Sequence, residues 1–273
     1  MTVPGSHCCE GRPVRLLQIT DTHLFADPGG RLLGVDTLAT LDAVIALAER
    51  DGLAFDAVLA TGDMVHDGSP EGYDRLCERL SRFGCPVYGL PGNHDAPERM
   101  RQKMSRAPFQ YLGTATHGDW QIVLLDSTVP GEDGGALSDA ELARLDQTVG
   151  ASPSAHAIVC LHHAPQPVDS AWIDTMVLRN GDALLRTVGR HPKVRGLVFG
   201  HIHQDYSVER DGVRLLAAPS TCVQFAPRQP RFTVDLEPPG YRRITLLSDG
   251  TIETAVRRLD GTPAAVDRAA RGY

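Results

Sequence analysis

Short apolar runs alternate with helical patterns from Val14 to about residue 200. The runs VRLLQIT (14–20), FDAVLAT (55–61), PVYGL (86–90), WQIVLLD (120–126), HAIVCL (156–161) and VRGLVFG (194–200) are nearly continuous in hydrophobicity. That is the pattern of strands buried on both faces. Between them the spacing predicts a helix over 37–49, with Leu38, Leu41, Ile45 and Ala48 on one stripe and Asp36 or Thr37 as N-cap. A second helix spans 71–83 behind Pro70, and a third opens at a Ser138–Glu141 capping box and ends near Gly150. Residues 172–189 form a less regular helical region. Such alternation belongs to an α/β layered domain. After residue 200, YSVERDGVRLLAAPS and YRRITLLSDGTIETAVRRL read as hairpins turning at Asp211-Gly212 and Asp249-Gly250. The Pro- and Arg-rich stretch 224–240 between them reads as an ordered surface loop. No repeat or linker divides the chain, so a single domain over 14–273 follows a flexible arm of residues 1–13.

Hydrophobic content of 42% and charged content of 22% over 273 residues are those of a globular protein with a substantial core. The formal net charge is -7 and there is no basic run, which argues against nucleic acid or an anionic membrane as partner. An acidic chain acting on an anion needs a local positive site, and a bound metal is one way to make it. No segment approaches the ~18 consecutive apolar residues of a membrane span. The leading MTVPGSHCCEGRP lacks the apolar core of a signal peptide, so a cytoplasmic location is expected. Cys8, Cys9, Cys77, Cys85, Cys160 and Cys222 form no zinc spacing, and reduced thiols are expected. The sequence leaves homo-oligomer formation open.

Polar residues that follow the apolar runs change the picture. Asp21-Thr22-His23 follows the first run, Gly62-Asp63 the second, and Pro91-Gly92-Asn93-His94-Asp95 the third. His162-His163 and His201-Ile202-His203 follow the last two. Each cluster alone is an ordinary turn, cap or surface pair. Together they put metal-binding side chains at the C-terminal ends of five strand candidates, the edge where parallel α/β sheets bind ligands. Imidazole and carboxylate suit Fe, Zn, Mn or Ni, whereas a thiolate site would need cysteines that are absent from these clusters. Two Asp, one Asn and four His exceed what one ion can hold and point to two metals sharing a bridging carboxylate. Two divalent ions less two carboxylates and one hydroxide leave a charge of about +1, which suits a phosphodiester. The chemistry implied is phosphoester hydrolysis.

The ordered set DTH, GD, GNHD, HH and GHIH resembles the calcineurin-like metallophosphoesterase superfamily. The segments TDTHLFADPGGRLLGVDT, LHHAP, VLRN (177–180), GHIHQ, APSTCVQF (218–225) and the final RGY extend the resemblance to bacterial class III cyclic-nucleotide phosphodiesterases. The resemblance implies a four-layer αββα sandwich of two mixed sheets. It implies one metal held by Asp21, His23, Asp63 and His203, and a second held by Asp63, Asn93, His162 and His201, with Asp63 bridging. Fe and Mn are the ions it favours, with Zn also compatible. His94 would contact phosphate and assist the leaving oxygen, so that His23, Asp63, Asn93, His94 and His203 surround the substrate. The activity implied is hydrolysis of 3′,5′-cyclic AMP to 5′-AMP by a metal-bridging hydroxide. The alternatives are another phosphoester as substrate, such as a 2′,3′-cyclic nucleotide or a nucleotide monoester, or a non-catalytic metal-binding scaffold. Many superfamily members carry an acid three residues after the bridging Asp, to orient the catalytic His. Here that place holds His66, which leaves Asp67 and Asp95 as candidates for the task. His163 has no assigned role, and His7, His117, His156 and His191 read as ordinary surface or loop residues.

Overall fold

A computed structural model describes residues 11–261 and 266–272. In chain order the first half comprises β1 (Val14–Ile19), β2 (Arg31–Leu32), β3 (Val35–Asp36), α1 (Thr37–Arg50), β4 (Ala57–Thr61) and α2 (Pro70–Leu80). β5 (Val87–Leu90), α3 (Pro97–Lys103), β6 (Phe109–Tyr111), β7 (Gly113–His117), β8 (Trp120–Leu124) and α4 (Asp139–Ala151) follow. Then come β9 (His156–Cys160), α5 (Gly181–Gly189), β10 (Val194–Phe199), β11 (Tyr206–Arg210) and β12 (Val213–Ala217). The chain closes with β13 (Gln224–Phe225), β14 (Val234–Asp235), β15 (Gly240–Leu246) and β16 (Ile252–Arg258).

The strands build two six-stranded sheets, ordered β16-β15-β1-β4-β5-β6 and β11-β12-β10-β9-β8-β7. β1, β4, β5 and β6 run parallel, as do β12, β10, β9 and β8. Antiparallel strands complete both edges of the second sheet and one edge of the first, so both sheets are mixed. Alternation along each strand explains why the runs are apolar throughout. Leu16, Leu59 and Leu90 face Ile122, Ile158 and Val198 in the layer between the sheets. Their neighbours Leu17 and Val58 pack outward with Leu41, Ile45, Leu76 and Met100 of α1, α2 and α3. On the far side Val123, Val159 and Leu197 pack with Leu145 and Val149 of α4 and Leu184 of α5. Four layers result, helix–sheet–sheet–helix. Among the described residues no helix is long and apolar enough to cross a membrane.

Helix caps follow the sequence closely. Asp36 accepts from Ala39 N–H at the start of α1, and Ser69 caps α2 with Pro70 in its first turn. The 138–141 capping box is only half made. Ser138 Oγ accepts from Glu141 N–H, but the Glu141 carboxylate turns to Asp126 N–H and Arg144 instead. The helical region expected over 172–189 divides into a 3₁₀ turn, Ile173–Thr175, and α5. The break falls at Asn180, whose side-chain amide is committed to both backbone groups of Leu137. Within 224–240 the short β13–β14 pair orders the expected loop. Of the expected N-terminal arm, residues 1–10 (with Cys8 and Cys9) lie outside the described residues, while Arg12 pairs with Asp56 at 2.7 Å. Cys77, Cys85, Cys160 and Cys222 are free thiols.

Candidate active site

β1, β4, β5, β9 and β10 all end at one place, and the residues after them turn inward. Asp21, His23, Asp63, His201 and His203 each adopt positive φ, between 44° and 69°. Non-glycine residues enter this region at about 1–3 kcal/mol each, Asp and His more readily than most. The turns also need close backbone approach. A Cβ on Gly92 would lie 2.2 Å from Asp63 Oδ1, and one on Gly62 would lie 2.3 Å from His162 Nδ1. Glycine at both places lets the two loops touch.

Two sets of donor atoms emerge. His23 Nε2 lies 3.2 Å from His203 Nε2 and 3.8 Å from Asp63 Oδ2, and His203 Nε2 lies 3.4 Å from Asp21 Oδ1. His162 Nε2 lies 3.3 Å from Asp63 Oδ2 and 3.2 Å from Asn93 Oδ1. Asp63 Oδ2 stands between the sets. Asp21, His23, Asp63, His162, His201 and His203 are buried, while Asn93 and His94 are partly exposed. Asp63 Oδ2 and both ring nitrogens of His201 are shielded from solvent yet have no hydrogen-bond partner. Buried polar atoms normally find partners, and a cation would supply one to Asp63 Oδ2 and to the ring nitrogen of His201 that carries no proton.

Tautomers support the same assignment. His162 Nδ1 lies 2.9 Å from Thr61 O, and His203 Nδ1 lies 2.8 Å from Val223 O. A carbonyl only accepts, so each Nδ1 carries its proton and each Nε2 is directed at the cluster. Burial drives His201 down to about 3 and His23 well below the ordinary imidazole range, which keeps both neutral, as ligation requires. Burial also opposes charge on His162, but the Asp63 carboxylate outweighs it and raises that imidazole to about 9. The same field attracts any cation. The residues present therefore fit two divalent ions.

Around the cluster the structure corrects one expectation and adds Ser127 and Tyr73. Neither Asp67 nor Asp95 orients the His94 ring. Asp95 accepts from the N–H groups of Met64, Val65 and Gly92 and from Tyr73 Oη, and Asp67 accepts from Ala26 and Ser69 N–H. Both carboxylates are spent on tying the 62–69 loop to its neighbours. The His66 ring stacks on that of His94 at 4.6 Å with 22° between planes, and the His23 ring meets the His94 ring edge to face at 5.0 Å. His66 Nδ1 also lies 3.1 Å from His23 Nδ1. His94 N–H donates to Asp63 Oδ1 at 2.9 Å, which joins its loop to the shared carboxylate. His163 is a buried strut between Ser127 Oγ, 2.8 Å from its Nδ1, and Asp133 O, 3.2 Å from its Nε2. Ser127 and Tyr73 carry no signal in the sequence because neither belongs to a cluster of metal-binding residues, whereas His66 stands where many superfamily members carry an acid. His117, His156 and His191 hydrogen-bond Tyr88, Ser248 O and Asp146, away from the cluster, while His7 lies outside the described residues.

Residues 14–205 match the family model described as calcineurin-like phosphoesterase. The chain belongs to that family. This phosphoesterase is 40% identical over 261 residues to the protein named 3′,5′-cyclic adenosine monophosphate phosphodiesterase CpdA in Haemophilus influenzae, spanning 95% of both chains. It is 41% identical over 261 residues to the protein of the same name in Escherichia coli K12, again spanning 95% of both. A 3′,5′-cyclic-nucleotide phosphodiesterase of Nostoc is 36% identical over 250 residues, 92% of this chain and 94% of that one. Among solved structures, a dimetal phosphatase from Danio rerio superposes with a TM-score of 0.63 at 15% identity, over 90% of this chain and 98% of that one. Purple acid phosphatase PPD1 from yellow lupin gives 0.63 at 14% identity, over 90% of this chain and 54% of that one. At such identities the structural likeness shows the fold.

Proposed function

We propose that this phosphoesterase hydrolyses the 3′,5′-cyclic phosphodiester of cyclic AMP to 5′-AMP. The observation that carries the reading is the meeting of two donor sets at Asp63 Oδ2, in a chain about 40% identical end to end to proteins named for that activity. Asp21, His23, Asp63 and His203 would hold one divalent ion, and Asp63, Asn93, His162 and His201 the other. A carboxylate, imidazole and amide donor set without thiolate suits Fe or Mn, and Zn also fits. Bound there, the pair would bring the pKa of water towards neutrality and offset charge building on the phosphoryl oxygens.

The chain's own groups then have separable tasks. Asp63 fixes the spacing of the two donor sets and, through Oδ1, holds the His94 backbone. Asn93 contributes a neutral oxygen, so it adds no negative charge to repel the phosphodiester. His94, which is partly exposed, would donate a proton to the departing 3′ oxygen. The test is a phosphoester panel on metal-free enzyme reconstituted with each ion, comparing 3′,5′-cyclic AMP, 2′,3′-cyclic AMP, AMP and bis(p-nitrophenyl) phosphate. Preference in kcat/KM for 3′,5′-cyclic AMP is expected. A preference for either of the other nucleotides would replace this substrate with that one.

A further inference from the structure

A cavity of about 200 Å³ opens beside the donor cluster, and its lining joins Asn93, His94 and His201 to Trp172, Met176 and Phe232. It is smaller than the roughly 300–1,000 Å³ of sites that enclose drug-sized ligands, so it accepts a fragment of a nucleotide. The aromatic part is braced. Trp172 meets Phe225 and Phe232 edge to face, each with 5.1 Å between centroids, and Phe225 stacks on the His203 imidazole at 4.2 Å with 18° between planes. The Trp172 indole N–H is shielded from solvent and has no hydrogen-bond partner, although such donors usually find one. The same cavity is lined by Arg271, from a C-terminal tail anchored where Asp267 N–H donates to Leu33 O at 2.8 Å.

We infer that this cavity is the nucleobase subsite, with Trp172 and Phe232 as its aromatic wall. A planar heterocycle suits the aromatic wall, because it offers a π face to stack on a ring. Its phosphodiester would then lie towards Asn93 and His94, which share the cavity. Arg271 contributes a cation to an approach that the net charge of -7 would otherwise make unfavourable for an anion. The inference rests on the cyclic-nucleotide reading and extends it from the phosphate to the base.

Steady-state kinetics on two substrates test it: cyclic AMP, and the 3′,5′-cyclic phosphate of methyl riboside, which carries no base. Replacing Trp172 by leucine should raise KM for cyclic AMP by about tenfold or more, the usual cost of losing a stacking ring, with kcat little changed. The same variant should treat the base-free substrate as the wild type does, which also shows that it is folded. Trp172→Phe, which keeps a smaller ring, should fall between. Equal losses on both substrates, or no loss on cyclic AMP in Trp172→Leu and Phe232→Leu alike, would overturn the inference. A wild type that hydrolyses bis(p-nitrophenyl) phosphate but neither cyclic phosphate would sink the cyclic-nucleotide reading separately. Adenosine titration followed by tryptophan fluorescence then decides the subsite. Quenching that disappears in Trp172→Leu upholds it, and a wild type that is not quenched overturns it.

Discussion

Asn93 and His94 are neighbours with different work to do, and substitution should separate them. His94 donates its backbone N–H to Asp63 Oδ1, a tie that alanine would keep, so His94→Ala should keep full metal content while kcat on cyclic AMP falls by ~10²-fold or more. The loss should be smaller on a nitrophenyl ester, whose leaving group departs without a proton. Elemental analysis beside the two rates checks this, and metal loss in the variant would contradict it. His66 makes a complementary case. Its Nδ1 lies 3.1 Å from the nitrogen of His23 that points away from the cluster, the position from which ligand orientation is usually set. His66→Ala should therefore weaken metal binding by about 10–100-fold, and His66→Asn, which keeps a polar partner, should recover part of it. Competition with a chromophoric chelator measures the affinities. Unchanged affinity in His66→Ala would reduce His66 to a packing residue.

Elements are held by a few polar ties, and one of them should show in the pH dependence of stability. Asp51 caps the C-terminus of α1 and receives Tyr241 Oη and, at 3.0 and 3.1 Å, the Arg257 guanidinium, tying that helix to β15 and β16. Burial disfavours its charge, yet the hydrogen bonds from Tyr241 and Arg257 outweigh this and hold the carboxyl below its ordinary range. A lowered native pKa stabilises the fold above the unfolded value, about 3.9 for Asp, and that support is lost as pH falls through the native value. Asp51→Asn should thus lower Tm by a few degrees at pH 7, with the gap from wild type closing below about pH 4. Melting curves from pH 7 to 3 check it. A gap that stays constant with pH would mean the charge is not what holds the helix.

For the molecule as a whole, the cluster buries two carboxylates and four imidazoles that water would otherwise solvate, so ions binding there favour the folded state. At a hundredfold excess over Kd that is about 2.7 kcal/mol, or roughly 5–10 °C in Tm at about 2–4 °C per kcal/mol. Melting with and without chelator should show it, and coincident curves would argue against metal at this site. Much of this organisation was legible in the sequence. The central strands announced themselves because residues such as Leu16 and Leu17 face opposite layers that are both apolar. The cluster was legible because parallel strands gather their C-terminal ends. The short strands β6 and β7 were not, since their burial is partial and they have no continuous apolar run. Asp95 misled for a physical reason. A carboxylate next to His94 in sequence suggests a side-chain partner, whereas its geometry is taken up by three backbone amides and a tyrosine.

The left-handed backbone of Asp21, His23, Asp63, His201 and His203 constrains how this lineage can drift. An amide or glycine can replace Asp63 or Asp21 with little resistance from the chain, because Asn and Gly accept positive φ. Alanine or valine meets strain there before any chemistry is lost. A copy of the gene released from selection would therefore shed its charges while keeping its shape through Asp→Asn, because the amide oxygen can still accept from the His94 and His201 N–H groups that a glycine would leave unpaired. Alanine scanning at these positions reads two losses as one. Asparagine is the substitution that isolates the charge.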